Sequence, residues 1–187
     1  MERLDCNLKI GFITTSFPLW PELVSGPFVA RLVRHLGELV DMTVLVPCAD
    51  RPAQSTFRYQ LRCFRYAPRR WQILAHRPGG IPASLNSRPW TVLLLPGFFL
   101  SLFLASWRLA RRSDVIHANW SVVGAMVGLS ARANDRPLIT TLRGQDFNRA
   151  QRSALYRLCL NLCVRFSARI TVVSEAIYRQ MSTRYPK

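Results

Sequence analysis

The chain has 187 residues, 49% hydrophobic and 19% charged, and its formal charge of +16 rests on 24 arginines and 2 lysines. That length and composition suit one domain with a substantial core and exclude a disordered or collagen-like chain. The charge is uneven: no acidic residue lies between Asp50 and Asp114, whereas 11 arginines do. Such a surface attracts the phosphates of nucleic acid, anionic lipid or a sugar nucleotide, although an arginine-rich composition can also make a basic face with no specific partner.

In chain order, the apolar run Leu8–Thr15 has the character of a strand buried on both faces. After a loop holding Pro18, Pro21 and Gly26, an apolar stripe from Phe28 to Val40 predicts a helix over Pro27–Val40, with Ser25 and Pro27 at its start. Strands are expected at Thr43–Val46 and, with one polar face, at Phe57–Cys63. The proline-rich ground from Pro68 to Pro89 reads as a long loop. An apolar helix follows over about 91–111. Then come a strand at Val115–Ala118, a helix at Val122–Ala133 rich in small residues, and a strand at Leu138–Leu142. A helix at Ala150–Ser167, a strand at Ile170–Val173 and a helix from Glu175 complete the alternation. Repeated strand–helix–strand units demand a parallel sheet with right-handed crossovers, so the fold class is α/β, a doubly wound Rossmann-like domain.

Trp90 to Trp107 is 18 residues without a charge, broken by Pro96 and Gly97 and followed by Arg108, Arg111 and Arg112. The break argues against a membrane span. Aromatic ends and flanking arginines suit either a helix lying at a bilayer surface, with Trp90, Trp107, Arg108, Arg111 and Arg112 facing the membrane, or a helix buried against the sheet. The five cysteines, Cys6, Cys48, Cys63, Cys159 and Cys163, lack zinc spacing and read as reduced, buried thiols of a cytoplasmic protein. No metal site is expected. The first residues carry no signal-peptide pattern.

Ligands of a doubly wound sheet bind beyond the carboxyl ends of its strands. There the sequence places Ser25 and Gly26, Asn119 and Trp120, the run Arg143, Gly144, Gln145 and Asp146, and Ser174 with Glu175. Ser25 and Gly26 could present backbone N–H groups to a phosphate, or simply cap a helix. No GxGxxG follows the first strand and no GxxxxGK[ST] occurs, which takes most of the support from dinucleotide and P-loop readings. No GxSxG or HExxH is present either. His117, inside the run DVIHA, reads as a satisfied core histidine.

Four stretches in order, FITTSFPLWPELVSGPFVARLVRHLGELVDMTVLVP (12–47), DVIHANWSVVGAMVG (114–128), PLITTLRGQDFN (137–148) and ITVVSEA (170–176), resemble the N-terminal domain of family-4 glycosyltransferases, retaining enzymes of GT-B fold. The resemblance implies that residues 1–187 form one lobe of a GT-B fold, the acceptor-side domain. The enzyme would transfer a sugar from a nucleotide-sugar donor to a saccharide or lipid-linked acceptor. It would serve cell-surface polysaccharide or glycolipid biosynthesis, with no cofactor beyond the donor as co-substrate. The loop matching Ser25 and Gly26 would approach the donor diphosphate, and the tip matching Arg143 to Asp146 would face the reacting sugar. Relatives usually carry histidine at the position of Arg143 and often at that of Asn119. A guanidinium does not lose its proton at neutral pH, so Arg143 is assigned to holding negative charge and Asp146 to orienting a hydroxyl or handling a proton.

The family's C-terminal lobe, with its acidic E-x7-E-type motif, has no counterpart in these residues. The expectation is therefore a fragment, an excised domain or one subunit of a split enzyme, with little activity alone and the second lobe as partner in cis or trans. The expected location is cytoplasmic, at the inner face of a membrane with an anionic surface. The competing reading is a non-enzymatic basic module for nucleic acid or anionic membrane. The mixed aromatic and arginine stretch FRYQLRCFRYAPRRW (57–71) prompts the nucleic-acid form of it, without a recognised motif to support it. A different doubly wound protein, such as a nucleotide-dependent epimerase or a scaffold, is the third reading, weakened by the missing glycine fingerprint.

Overall fold

The structure is a computed structural model that describes residues 8–20, 26–50, 59–76 and 78–185. Six strands form a single all-parallel sheet: β1 (Lys9–Ile13), β2 (Asp41–Pro47), β3 (Gln60–Phe64), β4 (Val115–Asn119), β5 (Leu138–Leu142) and β6 (Arg169–Val172). The order across the sheet is β3-β2-β1-β4-β5-β6. The direction of winding reverses between β1 and β4, which makes that junction the switch point where a ligand crevice opens.

Alternation along the strands explains the two layers. In β1 Phe12 points to one face and Ile13 to the other, both fully buried. In β2 Met42, Val44 and Val46 share the face of Phe12, while Leu45 joins Ile13. Helix α1 (Pro27–Leu36) covers the first face through Val29 and Val33. Helices α3 (Leu95–Ala110) and α4 (Ser121–Arg132) cover the second through Phe98, Leu102, Val123 and Val127. A third cluster, around Leu142, Phe147, Leu160 and Cys163, seats α5 (Gly144–Arg152), α6 (Ala154–Phe166) and α7 (Glu175–Arg184).

The close approach of α4 to α6 depends on glycine. A Cβ added to Gly128 would lie 2.4 Å from the Phe166 ring, so only a missing side chain lets the two helices meet at this spacing.

Several expectations need correction. The loop expected from Pro68 to Pro89 contains a 3-10 turn (Arg69–Trp71) and a helix, α2 (Gly80–Ser87). Ser84 Oγ donates to the Leu74 carbonyl at 2.9 Å and ties that helix to the core. The single helix expected at Ala150–Ser167 is two, broken at Ser153, and the first begins at Gly144 directly after β5. Part of the expected strand Phe57–Cys63 lies outside the described residues, and β3 runs one residue further, to Phe64. The cysteines are not uniformly buried: Cys163 is, Cys48 and Cys159 are half-buried and Cys63 is exposed, all free thiols. Cys6 lies outside the described residues.

The apolar segment is likewise neither wholly buried nor free of the protein. Pro89–Ala110 begins as a 3-10 turn (Pro89–Leu94) and continues as α3. By length and composition it could cross a bilayer, yet Phe98, Leu102 and Leu109 are sealed in the core. Its other face is exposed: Leu93 at 78%, Leu100 at 60% and Leu104 at 42%. Trp90 stands at one end, and Arg108, Arg111 and Arg112 are exposed at the other.

Candidate functional site

The carboxyl edge of the sheet gathers most of the residues singled out from sequence. At the switch point, Asn119 ends β4 and Thr14 follows β1. Asn119 Nδ2 donates to Thr14 Oγ1 at 3.4 Å, and its Oδ1 accepts from Arg143 Nε at 3.3 Å. Asn119 is fully buried, so it is a bridge across the edge and not the wet contact that sequence suggested. Its amide fixes the direction in which Arg143 leaves the tip of β5.

Arg143 is half-buried, and two rings complete its surroundings. Its guanidinium carbon lies 3.9 Å from the centroid of Phe28, in the first turn of α1, and 5.5 Å from that of Trp120. The two rings meet edge-on at 6.3 Å. Aromatic faces attract a cation and shield it from water. Burial accordingly lowers the Arg143 pKa, with Asp146 pulling against that shift; an arginine still keeps its proton at neutral pH. Phe28 escaped notice in the sequence because it fits the apolar stripe of α1; it is 43% exposed.

Asp146 plays a part other than the one expected. Its Oδ1 accepts the Ser121 N–H at 2.7 Å and the Ser121 hydroxyl at 2.5 Å, and its Oδ2 accepts the Arg143 N–H at 2.8 Å. Ser121 is the first residue of α4 and Arg143 the residue before α5. One carboxylate therefore ties two helix N-termini together, satisfying N–H groups that have no partner within their own helices. Burial raises the Asp146 carboxyl pKa, and the Ser121 and Arg143 donors oppose that rise. With only 5% of its surface exposed and both oxygens engaged inward, Asp146 is a positioning residue, not a group aimed at a substrate hydroxyl.

The clasp also holds a strained residue. Trp120 has φ 84° and ψ 145°, a region that costs a non-glycine residue about 1–3 kcal/mol. It persists because its N–H donates to the Thr141 carbonyl, its carbonyl accepts from Gly124, and the next N–H is taken by Asp146. The strain turns the half-buried indole toward Arg143.

Gly26 is left-handed (φ 78°), and a Cβ there would lie 2.6 Å from the Ser16 carbonyl oxygen. Glycine is thus required by the chain's own loop, whatever approaches from outside. Ser25 lies outside the described residues. A Cβ on Gly144 would meet nothing within 4 Å outside its chain neighbours and its own helix, so no internal contact demands glycine there and the surface at Gly144 is open. Ser174 caps α7 by accepting the Ile177 N–H at 3.4 Å, and Glu175 pairs with Arg179 at 3.2 Å on the exposed surface. They share the carboxyl edge, and among the described residues no hydrogen bond or ion pair joins them to Arg143.

His117 is half-buried in β4, not sealed in the core, and one ring nitrogen is satisfied. Its Nε2 shares a hydrogen bond of 2.8 Å with Thr141 Oγ1, its ring packs at 4.8 Å on Phe12, and burial lowers its pKa to about 4. No cluster of three potential metal ligands occurs among the described residues. A groove of about 160 Å³ lined by Lys9, Asp41, Arg62 and Arg112 lies at the opposite, amino-terminal edge of the sheet.

A family model described as a glycosyl transferase 4-like domain matches residues 25–187. The chain belongs to this family. As a glycosyl transferase 4-like domain it also shares its fold with a sucrose-phosphate synthase from Thermosynechococcus elongatus, at a TM-score of 0.64 and 16% identity. The match covers 95% of this chain and 45% of that one; the domain spans less than half the length of that neighbour. No curated protein sequence matches. The family places the domain among glycosyltransferase-type domains and gives a setting to the Arg143 tip.

Proposed function

We infer that this domain is the acceptor-side, N-terminal lobe of a retaining glycosyltransferase, working with a second lobe in cis or trans that supplies most donor contacts. The reaction is transfer of a sugar from a nucleotide donor to a saccharide or lipid-linked acceptor of cell-surface polysaccharide or glycolipid synthesis, at the cytoplasmic face of a membrane. The supporting observation is the open Arg143 guanidinium, held at the switch-point edge of a family-4-type sheet. There a fixed cation can stabilise charge developing on a leaving or attacking oxygen without reorganising. Neither a metal nor a further cofactor is required in this scheme. The test is release of nucleoside diphosphate from a panel of sugar nucleotides with membrane lipid extract as acceptor. The chain is assayed alone and joined to its second lobe. Turnover only in the joined form is expected; robust turnover by the chain alone, or none in either form, refutes the division of labour.

Membrane attachment rests on a separate observation, the exposed stripe of Leu93, Leu100 and Leu104 beside Trp90 and ending at Arg108, Arg111 and Arg112. Apolar side chains flanked by tryptophan and arginine match an anionic bilayer surface. The domain should float with phosphatidylserine vesicles, and indifference to anionic lipid would remove this part. The nucleic-acid reading loses support: within 59–71, Tyr59, Phe64 and Tyr66 are buried, which leaves Trp71, with Arg70 at 5.4 Å from its ring, as the exposed aromatic. Stacking platforms for bases need free aromatic faces.

A further inference from the structure

We propose that Arg143, stacked on Phe28 and flanked by Trp120, is the receptor for a phosphate or carboxylate group carried by the acceptor, so that this domain selects an anionic saccharide. The inference rests on the glycosyltransferase reading for the word acceptor and on geometry for everything else. A guanidinium has two faces and an edge of five N–H donors. Phe28 takes a face at 3.9 Å, and Trp120 flanks it at 5.5 Å. Nε is spent on Asn119. Both Nη atoms lack a hydrogen-bond partner, and no ion pair reaches the guanidinium among the described residues. Asp146, the carboxylate whose charge is felt at Arg143, directs its oxygens to Ser121 and to backbone N–H instead.

The result is a fork of donors with its stem fixed and its tines free, half-buried, beside the open space at Gly144. A fork of this kind accepts phosphate or carboxylate in paired hydrogen bonds, which a lysine ammonium cannot reproduce. A half-buried cation whose Nη groups meet no anion among the described residues is costly, and an external anion bound there lowers that cost. The strained backbone of Trp120 is part of the same device, since strain that survives next to an open site signals a geometry kept for binding. Phe28 and Trp120 are positioning residues: they hold the plane of the guanidinium and leave its outer edge to the ligand.

The experiment titrates the full chain with glucose 6-phosphate, glucuronate and neutral glucose, followed by amide and indole NMR shifts. Each titration is repeated with saturating uridine or guanosine diphosphate. The anionic sugars should perturb residues 143–146 and the Trp120 indole, and glucose should not. Arg143→Gln should weaken binding about tenfold or more, as expected for losing charge-assisted bonds. Arg143→Lys and Phe28→Leu should each weaken it several-fold, with circular dichroism and melting temperature verifying that each variant folds. Arg157→Gln, the same charge change on the outer face of α6, should have no effect.

Equal loss in Arg157→Gln would reduce the binding to net charge and overturn the proposal. Complete competition by either nucleoside diphosphate would assign the fork to the donor and also overturn it. Anion binding with this signature but no turnover in any sugar-nucleotide assay would retain the receptor and discard the glycosyltransferase reading. Turnover indifferent to Arg143→Gln and to acceptor charge would do the reverse.

Discussion

Replacing Asp146 by asparagine isolates the clasp at the carboxyl edge. The carboxylate accepts three hydrogen bonds, from the Ser121 N–H at 2.7 Å, the Ser121 hydroxyl at 2.5 Å and the Arg143 N–H at 2.8 Å. An amide of the same shape offers one oxygen. If that oxygen serves Ser121, the NH2 group faces the Arg143 N–H, donor against donor, and a buried backbone donor goes unsatisfied. Losing one charge-assisted bond, weakening two others and stranding that donor costs about 2–4 kcal/mol. For a domain of this size the melting temperature should fall by about 5–15 °C. Ser121→Ala removes only the hydroxyl and should cost about 1 kcal/mol. Arg143→Gln keeps the backbone N–H and so leaves the clasp intact, and should cost only about 1 kcal/mol through the side-chain bond to Asn119. The assay is urea unfolding followed by far-ultraviolet circular dichroism. An Asp146→Asn protein within about 0.5 kcal/mol of wild type, the range of a neutral surface change, would refute the clasp.

Three further outcomes are expected. Gly128→Ala drives a methyl to 2.4 Å from the Phe166 ring and should destabilise by about 1–3 kcal/mol in the same unfolding assay. His117 has its folded pKa lowered to about 4, below the ordinary value near 6.5, so the unfolded chain binds the proton first as pH falls. The stability this neutral histidine confers is therefore present above about pH 6.5. It is lost progressively toward pH 4, by about 3 kcal/mol. Burial lowers the His76 pKa in the same direction, so the measurement is the difference in pH slope between wild type and His117→Asn. On the outer face of α3, the double change Leu100→Ser with Leu104→Ser should move unfolding by no more than about 1 kcal/mol. It should nevertheless abolish vesicle flotation.

Where the sequence was legible, the reason is periodicity. Strands β1, β2, β4 and β5 are largely apolar runs, and parallel strands buried on both faces leave that mark strongly; β6, an edge strand with Arg169 and Thr171 exposed, was legible from its place in the alternation. The helix α2 was hidden by its own start, where Gly79 and Gly80 have positive φ (82° and 66°) and Pro82 follows; such residues signal a loop unless a tertiary contact secures the turn beyond them. The start of α5 was legible in principle. Aspartate three residues after Arg143 is the returning half of a capping box, yet beside Gly144 the same letters read equally well as a binding turn. Phe28 could not have been found, because only the fold brings residues 28 and 143 together.

Because a single carboxylate anchors the first turns of both α4 and α5, Trp120, Ser121 and Arg143 cannot shift independently of one another. The carboxyl edge of the sheet is in that respect a rigid plate. Conformational freedom that other sites lose when a ligand arrives is lost here when the chain folds, and affinity gains the difference. In the two-lobed enzyme proposed above, a closing movement would fall to the second lobe or the connection to it, with this edge as the fixed reference.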